Sequence, residues 1–295
     1  MTTAFPLAHR DIFVKANGLR HHLIARGKPG APVVMMIHGL AGQSRVFDGI
    51  ANTLAEQFHV YCLDVRGRGE SEWGAPDSYY TANYVDDLEA VRAALGLEQM
   101  ALVGTSMGGI IAMNYAPAFP KHVTRLVLND IGPKIEAAGV ERIGQYLASA
   151  PEYFKDIKSV AKYYREHYAP MVEHLQEDQI AEFARHNVRK DDTGLLSWKM
   201  DPAIRKMQPP PAGSRDPWEA FKAIKCPVLV LRGAKSDLLS AETAKAMNES
   251  LPDCRVVEVP GVGHAPVLVE PADWLSCQPI FPKLKSPGPM RLSRR

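Results

Sequence analysis

Residues 102–116 read LVGTSMGGIIAMNYA and change character at one serine, Ser106. The apolar run before Ser106 is typical of a short buried strand, and the apolar residues after it recur at helical spacing. Residues 104–108, GTSMG, fit the pattern G-x-S-x-G, in which a serine occupies a tight strand-to-helix turn. Small neighbours are needed there because the backbone is strained and the helix leaves close beside the strand. The stretch therefore predicts a strand, a helix and a projecting serine hydroxyl between them.

Apolar runs like the one before Ser106 recur along the chain, separated by helical patterns. The other runs cover residues 32–39, 59–67, 123–130, 226–233 and 254–261, and the helical patterns cover residues 44–57, 82–95, 107–116 and 241–249. Several runs scarcely alternate between apolar and polar residues, as is typical of strands that helices cover on both faces. Near the N-terminus, Asn17-Gly18 joins two alternating runs and predicts a β-hairpin. The predicted fold class is therefore α/β, with a doubly wound and mostly parallel sheet.

One long interval interrupts this alternation. Between residues 132 and 223 no strand-like run occurs, and such an interval is too long for a crossover between neighbouring strands. The sequence predicts a helical insertion over residues 132–223 in a core formed by residues 1–131 and 224–277. Aromatic residues of the insertion either attach it to the core or line a pocket, and they are Tyr146, Tyr153, Phe154, Tyr163, Tyr164 and Tyr168. Residues 278–295 are rich in proline and in basic residues, and we expect an irregular tail there.

Much of the positive charge of the chain lies at its C-terminal end. The net charge is +2, yet residues 278–295 contain five basic residues and no acidic one. Without those five, the 35 basic residues become 30, against 33 acidic ones, so the rest of the chain is slightly acidic. This balance argues against a nucleic-acid surface on the fold itself, and no nucleic-acid partner is expected. With 295 residues and 46% hydrophobic side chains, the chain can fill the core of an enzyme-sized protein.

The four cysteines, Cys62, Cys226, Cys254 and Cys277, lie far apart and form no C-x-x-C pair. Such spacing predicts buried thiols in a reducing compartment rather than a disulfide framework or a metal site. The N-terminus lacks a basic start followed by an apolar block, and no apolar stretch approaches the length of a membrane span. We therefore expect a cytoplasmic protein without a membrane partner, and the oligomeric state stays open.

A serine at its ordinary pKa is a poor nucleophile and requires a base. In doubly wound sheets, ligands bind beyond the carboxyl ends of the strands, so the residues after each strand are the candidates. Of the ten histidines, His264 lies in a glycine-rich loop, VPGVGH, directly after the last predicted strand. His264 is therefore the predicted general base. His38 precedes Gly39 at the end of another strand and is predicted to shape the loop there.

The base requires a carboxylate that orients it, and two aspartates compete for this role. Asp237 in LRGAKSD follows the strand before His264 and is the predicted acid, whereas Asp130 ends the run LVLND and is the alternative. Two backbone N–H groups must also stabilise the negative oxygen that develops on the substrate. Met107, which follows the nucleophile, and Leu40, in the loop after the run MMIHG, are the predicted donors of this oxyanion hole.

Five motifs, in order, resemble the α/β-hydrolase superfamily: IHGL, LDVRGRGES, VGTSMGG, LRGAKSD and VPGVGHAP. The resemblance covers residues 10–275. It implies an α/β-hydrolase fold, with an eight-stranded and mostly parallel sheet, helices on both faces and an inserted helical lid. It also implies a triad of Ser106, Asp237 and His264 that uses no cofactor. In similar proteins the stretch D-x-R-G-x-G-x-S, here residues 64–71, is mainly structural, and no G-x-G-x-x-G or G-K-[ST] pattern accompanies it to make a phosphate loop.

A serine at the strand-to-helix turn narrows the activities that this resemblance allows. Members that dehalogenate or open epoxides resemble each other in using aspartate there, so those activities are not expected. The resemblance implies a carboxylesterase-like serine hydrolase that cleaves a small carboxylic ester through an acyl-enzyme on Ser106. The alternatives are a lactonase, a C–C bond hydrolase of ring-cleavage products, and a non-catalytic ligand-binding protein on this fold. The expected partner is a small-molecule ester or lactone.

Overall fold

The structure is a computed structural model that describes residues 8–167, 172, 175–206 and 216–266. Strands and helices are numbered in chain order within these residues. The strands are β1 (Arg10–Ala16), β2 (Leu19–Arg26), β3 (Val33–Ile37), β4 (His59–Leu63), β5 (Met100–Thr105), β6 (Val123–Asn129), β7 (Tyr153–Phe154), β8 (Val188–Lys190), β9 (Leu196–Trp198), β10 (Val228–Gly233) and β11 (Cys254–Val259). The helices are α1 (Asp48–Leu54), α2 (Thr81–Ala94), α3 (Met107–Ala118), α4 (Ala137–Ser149), α5 (Ile157–His167), α6 (Glu177–Asn187), α7 (Pro217–Lys222) and α8 (Ala241–Ser250).

Eight of the strands form one sheet in the order β1-β2-β4-β3-β5-β6-β10-β11. The pairs from β4 to β11 are parallel, and the hairpin of β1 and β2 adds the antiparallel edge. The hairpin turn has positive φ at Asn17 (47°) and Gly18 (79°), which is the conformation that the pair Asn-Gly favours. The predicted α/β-hydrolase fold with a mostly parallel eight-stranded sheet is confirmed.

Helices cover both faces of this sheet, as the unalternated strands predict. Successive side chains of a strand point to opposite faces, so each strand supplies two cores. In β3, Met35 and Ile37 pack into a core that includes residues of α2, α3 and α8. Val34 and Met36 pack into the opposite core with residues of α1. Each large apolar side chain buried in this way contributes about 1.5–3 kcal/mol to folding.

The chain between β6 and β10 adds no strand to the large sheet among its described residues. It folds into α4 to α7 and a small antiparallel sheet in the order β7-β9-β8. The insertion therefore contains a small sheet that the sequence did not predict, besides the helices that it did. These strands are two or three residues long, too short for an alternating pattern to be visible in the sequence.

The aromatic residues of the insertion mostly form its own core. The rings of Phe154, Tyr163 and Tyr164 lie 5.0, 5.7 and 5.9 Å from the ring of Trp198. The indole N–H of Trp198 donates to the carbonyl of Pro151 at 2.7 Å. Tyr153 is half exposed. Tyr168 lies outside the described residues.

The cysteines that the structure describes, Cys62, Cys226 and Cys254, carry free thiols. Burial raises the pKa of Cys62 to about 12 and that of Cys226 and Cys254 to about 11. Cys277 and the predicted tail at residues 278–295 lie outside the described part of the chain. Within that part, no helix has both the length and the apolar character needed to cross a bilayer.

Candidate active site

Ser106 lies at the corner between β5 and α3, with φ at 53° and ψ at −119°. A positive φ is strained for a residue with a side chain, so the surrounding backbone must hold it in place. A Cβ atom on Gly104 would lie 2.4 Å from the Gly108 carbonyl oxygen, and one on Gly108 would lie 2.0 Å from the Ile37 carbonyl oxygen. Gly104 and Gly108 therefore allow β5, α3 and β3 to approach one another closely behind Ser106.

The imidazole of His264 bridges Ser106 and Asp130. Its Nε2 lies 2.9 Å from Oγ of Ser106, and its Nδ1 lies 2.8 Å from Oδ2 of Asp130. An ionised carboxylate only accepts hydrogen bonds, so Nδ1 carries the proton and donates it to Asp130. Nε2 of the neutral ring then accepts from the Ser106 hydroxyl. This tautomer can take a proton from the serine.

Asp130 is fully buried and held from three sides. Besides the His264 bond, Oδ1 accepts from the Gly233 backbone N–H at 2.8 Å and Oδ2 accepts from the Ser236 hydroxyl at 2.6 Å. Its φ is 56°, a conformation that aspartate tolerates better than most residues. Three donors compensate the buried negative charge and fix the carboxylate that orients the histidine.

Asp237, the predicted acid, forms no hydrogen bond or ion pair with His264, which bonds Asp130 instead, and this corrects the prediction. Its carboxylate accepts from Nε and Nη2 of Arg142 at 2.5 and 2.8 Å. These hydrogen bonds and the charge of Arg142 hold the pKa of Asp237 below its usual range. The α4 helix starts against the same loop, since the Glu136 N–H donates to the Leu238 carbonyl at 3.0 Å. Arg142 of the insertion therefore binds the carboxylate of Asp237, which the sequence predicted to orient His264.

The predicted oxyanion donors, Leu40 and Met107, both lie close to Ser106. Met107 is the first residue of α3 and follows the serine directly. Leu40 follows Gly39, where a Cβ atom would lie 3.4 Å from the Ser106 Cβ. The Gly39 carbonyl accepts from His38 Nδ1 at 2.7 Å and from the Gly42 N–H at 3.0 Å. In a trans peptide the N–H and C=O groups point in opposite directions, so the Leu40 N–H points away from the His38 ring.

His38 has the loop-shaping position that the sequence predicts. Nδ1 donates to the Gly39 carbonyl, and Nε2 accepts from the Val65 N–H at 3.1 Å. The ring is fully buried, and burial lowers the pKa of His38 to about 4. His38 is therefore neutral at physiological pH and acts as a fixed donor and acceptor rather than as a charge.

A pocket opens in front of Ser106 and His264. It encloses about 870 Å³ of space free of atoms, including open solvent at its mouth. Val46 and Phe47 line it from the core, and Ile143, Tyr146 and Phe183 line it from the insertion. Arg142 is the one lysine or arginine among the described residues that line it. The pocket is thus mostly apolar, with one cationic side chain on the insertion side.

Asn129 and Arg142 contribute to the site, and sequence reasoning did not single them out. The Asn129 carbonyl accepts from the Ser106 N–H at 3.0 Å, and its side-chain amide donates to the Pro266 carbonyl at 2.8 Å. It thereby links the serine turn to the histidine loop. A polar residue at the end of the apolar run LVLN was the available indication for Asn129. Nothing local in the sequence distinguishes Arg142, because its role depends on a contact with Asp237.

The described residues contain no group of three or more histidine, cysteine or acidic side chains arranged to hold a metal ion.

Comparisons with known proteins show the family of the chain. The family described as alpha/beta hydrolase fold matches residues 32–271. The chain is 40% identical over 256 residues to the 3-hydroxybutyrate-oligomer hydrolase of Cupriavidus necator, covering 83% of this chain and 87% of that protein. It is 30% identical over 244 residues to the 2-(acetamidomethylene)succinate hydrolase of Mesorhizobium japonicum, covering 82% of this chain and 84% of that protein.

A solved structure shows the same likeness over nearly the whole chain. The crystal structure of an alpha/beta hydrolase from Novosphingobium aromaticivorans superimposes with a TM-score of 0.83 and 33% identity. The match covers 94% of this chain and 98% of that one. All three similar proteins are hydrolases, and the two with named substrates act on small molecules. These likenesses indicate a hydrolase.

Proposed function

The chain belongs to the alpha/beta hydrolase family, and we propose that within it the protein is a serine hydrolase of small carboxylic esters. One observation carries the proposal: His264 lies within hydrogen-bond distance of both Ser106 Oγ (2.9 Å) and the buried carboxylate of Asp130 (2.8 Å). A serine, a neutral imidazole and a buried carboxylate in this order are the parts that acyl transfer requires.

The first half of the reaction forms an acyl-enzyme. Ser106 Oγ attacks the ester carbonyl while His264 Nε2 accepts its proton, and Asp130 stabilises the imidazolium that forms. The carbonyl oxygen becomes negative, and the N–H groups of Leu40 and Met107 stabilise it, an effect worth about 3–4 kcal/mol per donor. The tetrahedral intermediate then expels the alkoxide, which takes the proton from His264 and leaves as the alcohol.

The second half releases the acid. A water molecule attacks the acyl carbonyl while His264 accepts one of its protons, and a second tetrahedral intermediate forms in the same oxyanion hole. This intermediate expels Ser106 Oγ, which takes the proton back from His264. The insertion supplies three apolar side chains to the pocket, Ile143, Tyr146 and Phe183, and these support a lid role for the described part of residues 132–223.

The pocket also favours a class of ester, namely one that carries a free carboxylate in addition to the ester bond. Asp237 holds the Arg142 guanidinium against the pocket wall, and a guanidinium held in this way can bind an anionic end group at low entropic cost. The substrate names of both curated relatives, 3-hydroxybutyrate oligomers and a substituted succinate, are those of acids that are ionised at neutral pH. Short oligoesters of hydroxy acids fit these features.

Hydrolysis of p-nitrophenyl esters from acetate to decanoate tests the function. We expect activity that peaks at one acyl length and that falls at least about a thousandfold in Ser106→Ala. Ser250→Ala is the matched control, because among the described residues its hydroxyl bonds only within α8, to the Ala246 carbonyl. Full activity of Ser106→Ala would refute the proposed nucleophile. A wild type inactive on every ester would refute the proposed ester class, and lactones and ring-cleavage products would then be the next substrates on the same triad.

A further inference from the structure

Arg68, in the loop after β4, is a fully buried arginine with 0% exposure. Arg66, two residues earlier, forms a bidentate ion pair with Asp87. Arg68 forms no ion pair with any carboxylate among the described residues, and its hydrogen bonds go to neutral groups. A buried charge without a counter-ion is costly, so an arginine that only fills space would be a poor solution here.

Two of the four hydrogen bonds that Arg68 makes to described residues, together with two aromatic rings, hold its guanidinium in place. Nη1 donates to the Arg66 carbonyl at 2.9 Å and to the Tyr84 hydroxyl at 2.8 Å. The guanidinium carbon also lies 5.1 Å from the centre of the Tyr84 ring and 5.8 Å from that of Tyr79. Carbonyl oxygens, hydroxyl oxygens and the faces of aromatic rings all stabilise a cation. This environment therefore fixes the Arg68 guanidinium without neutralising its charge.

The other two hydrogen bonds of Arg68 lead to the two residues of the proposed oxyanion hole. Nε donates to the Leu40 carbonyl at 3.2 Å, and Nη2 donates to the Met107 sulfur at 3.3 Å. The peptide before Leu40 is held by His38 through the Gly39 carbonyl, and Arg68 holds the peptide after it. The backbone on both sides of Leu40 is therefore tied to a buried side chain.

We propose that Arg68 is a positioning residue of the oxyanion hole, which holds Leu40 and Met107 so that both backbone N–H groups meet the negative oxygen. The inference rests on the proposed function, since it concerns the intermediate formed on Ser106. Preorganised donors stabilise an intermediate because they need not reorganise when charge develops. One guanidinium that donates to both the Leu40 carbonyl and the Met107 sulfur links the positions of the two donor residues.

The test compares Arg68→Met and Arg68→Lys with the wild type on the best p-nitrophenyl ester. We expect kcat to fall about tenfold to a hundredfold in Arg68→Met while KM changes less than about threefold, because the loss is confined to the charged intermediate. A trifluoromethyl ketone, which forms a tetrahedral adduct with a serine, should lose affinity by the same factor as kcat/KM. Lysine keeps the positive charge but lacks the planar guanidinium that reaches both Leu40 and Met107. We therefore expect kcat of Arg68→Lys to fall at least about tenfold.

The matched control is Arg26→Met. Arg26 is also buried (1% exposed) and donates to Asp48 and Asn52, which belong to α1. It should lower thermal stability without changing kcat by more than about threefold, which separates lost stability from lost positioning. Circular dichroism establishes that each variant is folded at the assay temperature. If Arg68→Met does not fold, Arg68→Lys carries the same comparison.

The outcomes separate this inference from the function on which it rests. Ester hydrolysis that depends on Ser106 but stays undiminished in both Arg68 variants would overturn the role of Arg68 alone. Full activity of Arg68→Lys would overturn the positioning role of Arg68, because a positive charge without the guanidinium would then be enough. A fall in kcat/KM without a parallel loss of trifluoromethyl ketone affinity would overturn the link to the oxyanion. A wild type without any esterase activity would overturn both proposals.

Discussion

Replacing the two competing aspartates one at a time is the sharpest test of the triad acid. In Asp130→Asn, the amide can donate to His264 Nδ1, which favours the tautomer with the proton on Nε2. That tautomer faces Ser106 with a donor and cannot take its proton. We expect kcat to fall about a thousandfold to ten-thousandfold, which corresponds to about 4–5.5 kcal/mol of transition-state stabilisation.

The same change at Asp237 should have a much smaller effect. Asp237→Asn weakens an ion pair with Arg142 whose two side chains are about one third exposed, and it leaves the bond between His264 and Asp130 intact. We expect kcat on a neutral ester to change less than about tenfold, since partly exposed ion pairs contribute about 1 kcal/mol or less.

The assay is steady-state hydrolysis of the preferred p-nitrophenyl ester, with the fold of both variants checked by thermal unfolding. That check matters because Asp130 also accepts from the Gly233 N–H and the Ser236 hydroxyl, and an asparagine oxygen can retain only part of these bonds. A thousandfold loss in Asp237→Asn, combined with an active Asp130→Asn, would show that the reasoning about the acid is wrong.

Three further predictions follow from the pocket, the loop and the turn. In Arg142→Gln, KM for an ester with a terminal carboxylate should rise about tenfold to a hundredfold and KM for a neutral ester of equal length less than about threefold; equal effects on both esters would contradict carboxylate binding. Because burial lowers the pKa of His38 to about 4, the unfolded chain binds more protons between pH 6.5 and 4, so this residue stabilises the fold above pH 6.5 and its contribution falls as the pH falls. Denaturant unfolding should show that the wild type loses about 2 kcal/mol more than His38→Asn between pH 7.5 and 5, and equal losses would contradict the buried neutral ring. Gly108→Ala should cost at least about 2 kcal/mol of unfolding free energy, because its Cβ would lie 2.0 Å from the Ile37 carbonyl oxygen, whereas Gly144→Ala, which has open space, should be neutral or stabilising; similar values for both would refute the close contact.

The sequence predicts the fold, the serine turn and the histidine loop because the information for them is local. The glycines around Ser106 indicate a tight turn, and His264 follows the last strand within a few residues. Strands that do not alternate between apolar and polar residues indicate helices on both faces of the sheet. The side chains of β3, which pack into two opposite cores, confirm this.

The acid could not be decided in this way, because the deciding contacts join distant parts of the chain. Asp130 and Asp237 both follow strands that end at the same edge of the sheet, and β6 and β10 are neighbours. Arg142, on the first helix of the insertion, binds Asp237. Gly233 at the end of β10 and Ser236 in the loop after it donate to Asp130. Residues 64–71 looked mainly structural for a similar reason, since the contacts of Arg68 with Leu40 and Met107 appear only in the folded chain.

The most direct measurement of the central claim is the site of covalent labelling by a fluorophosphonate, which reacts with activated serines. We predict one adduct per chain, located on Ser106 by peptide mass spectrometry, with no labelling of Ser106→Ala. Labelling of His264→Ala should be at least about a hundredfold slower, because the serine then lacks its base. An unlabelled wild type, an adduct on another residue, or equal rates in His264→Ala and wild type would contradict a nucleophilic Ser106 activated by His264.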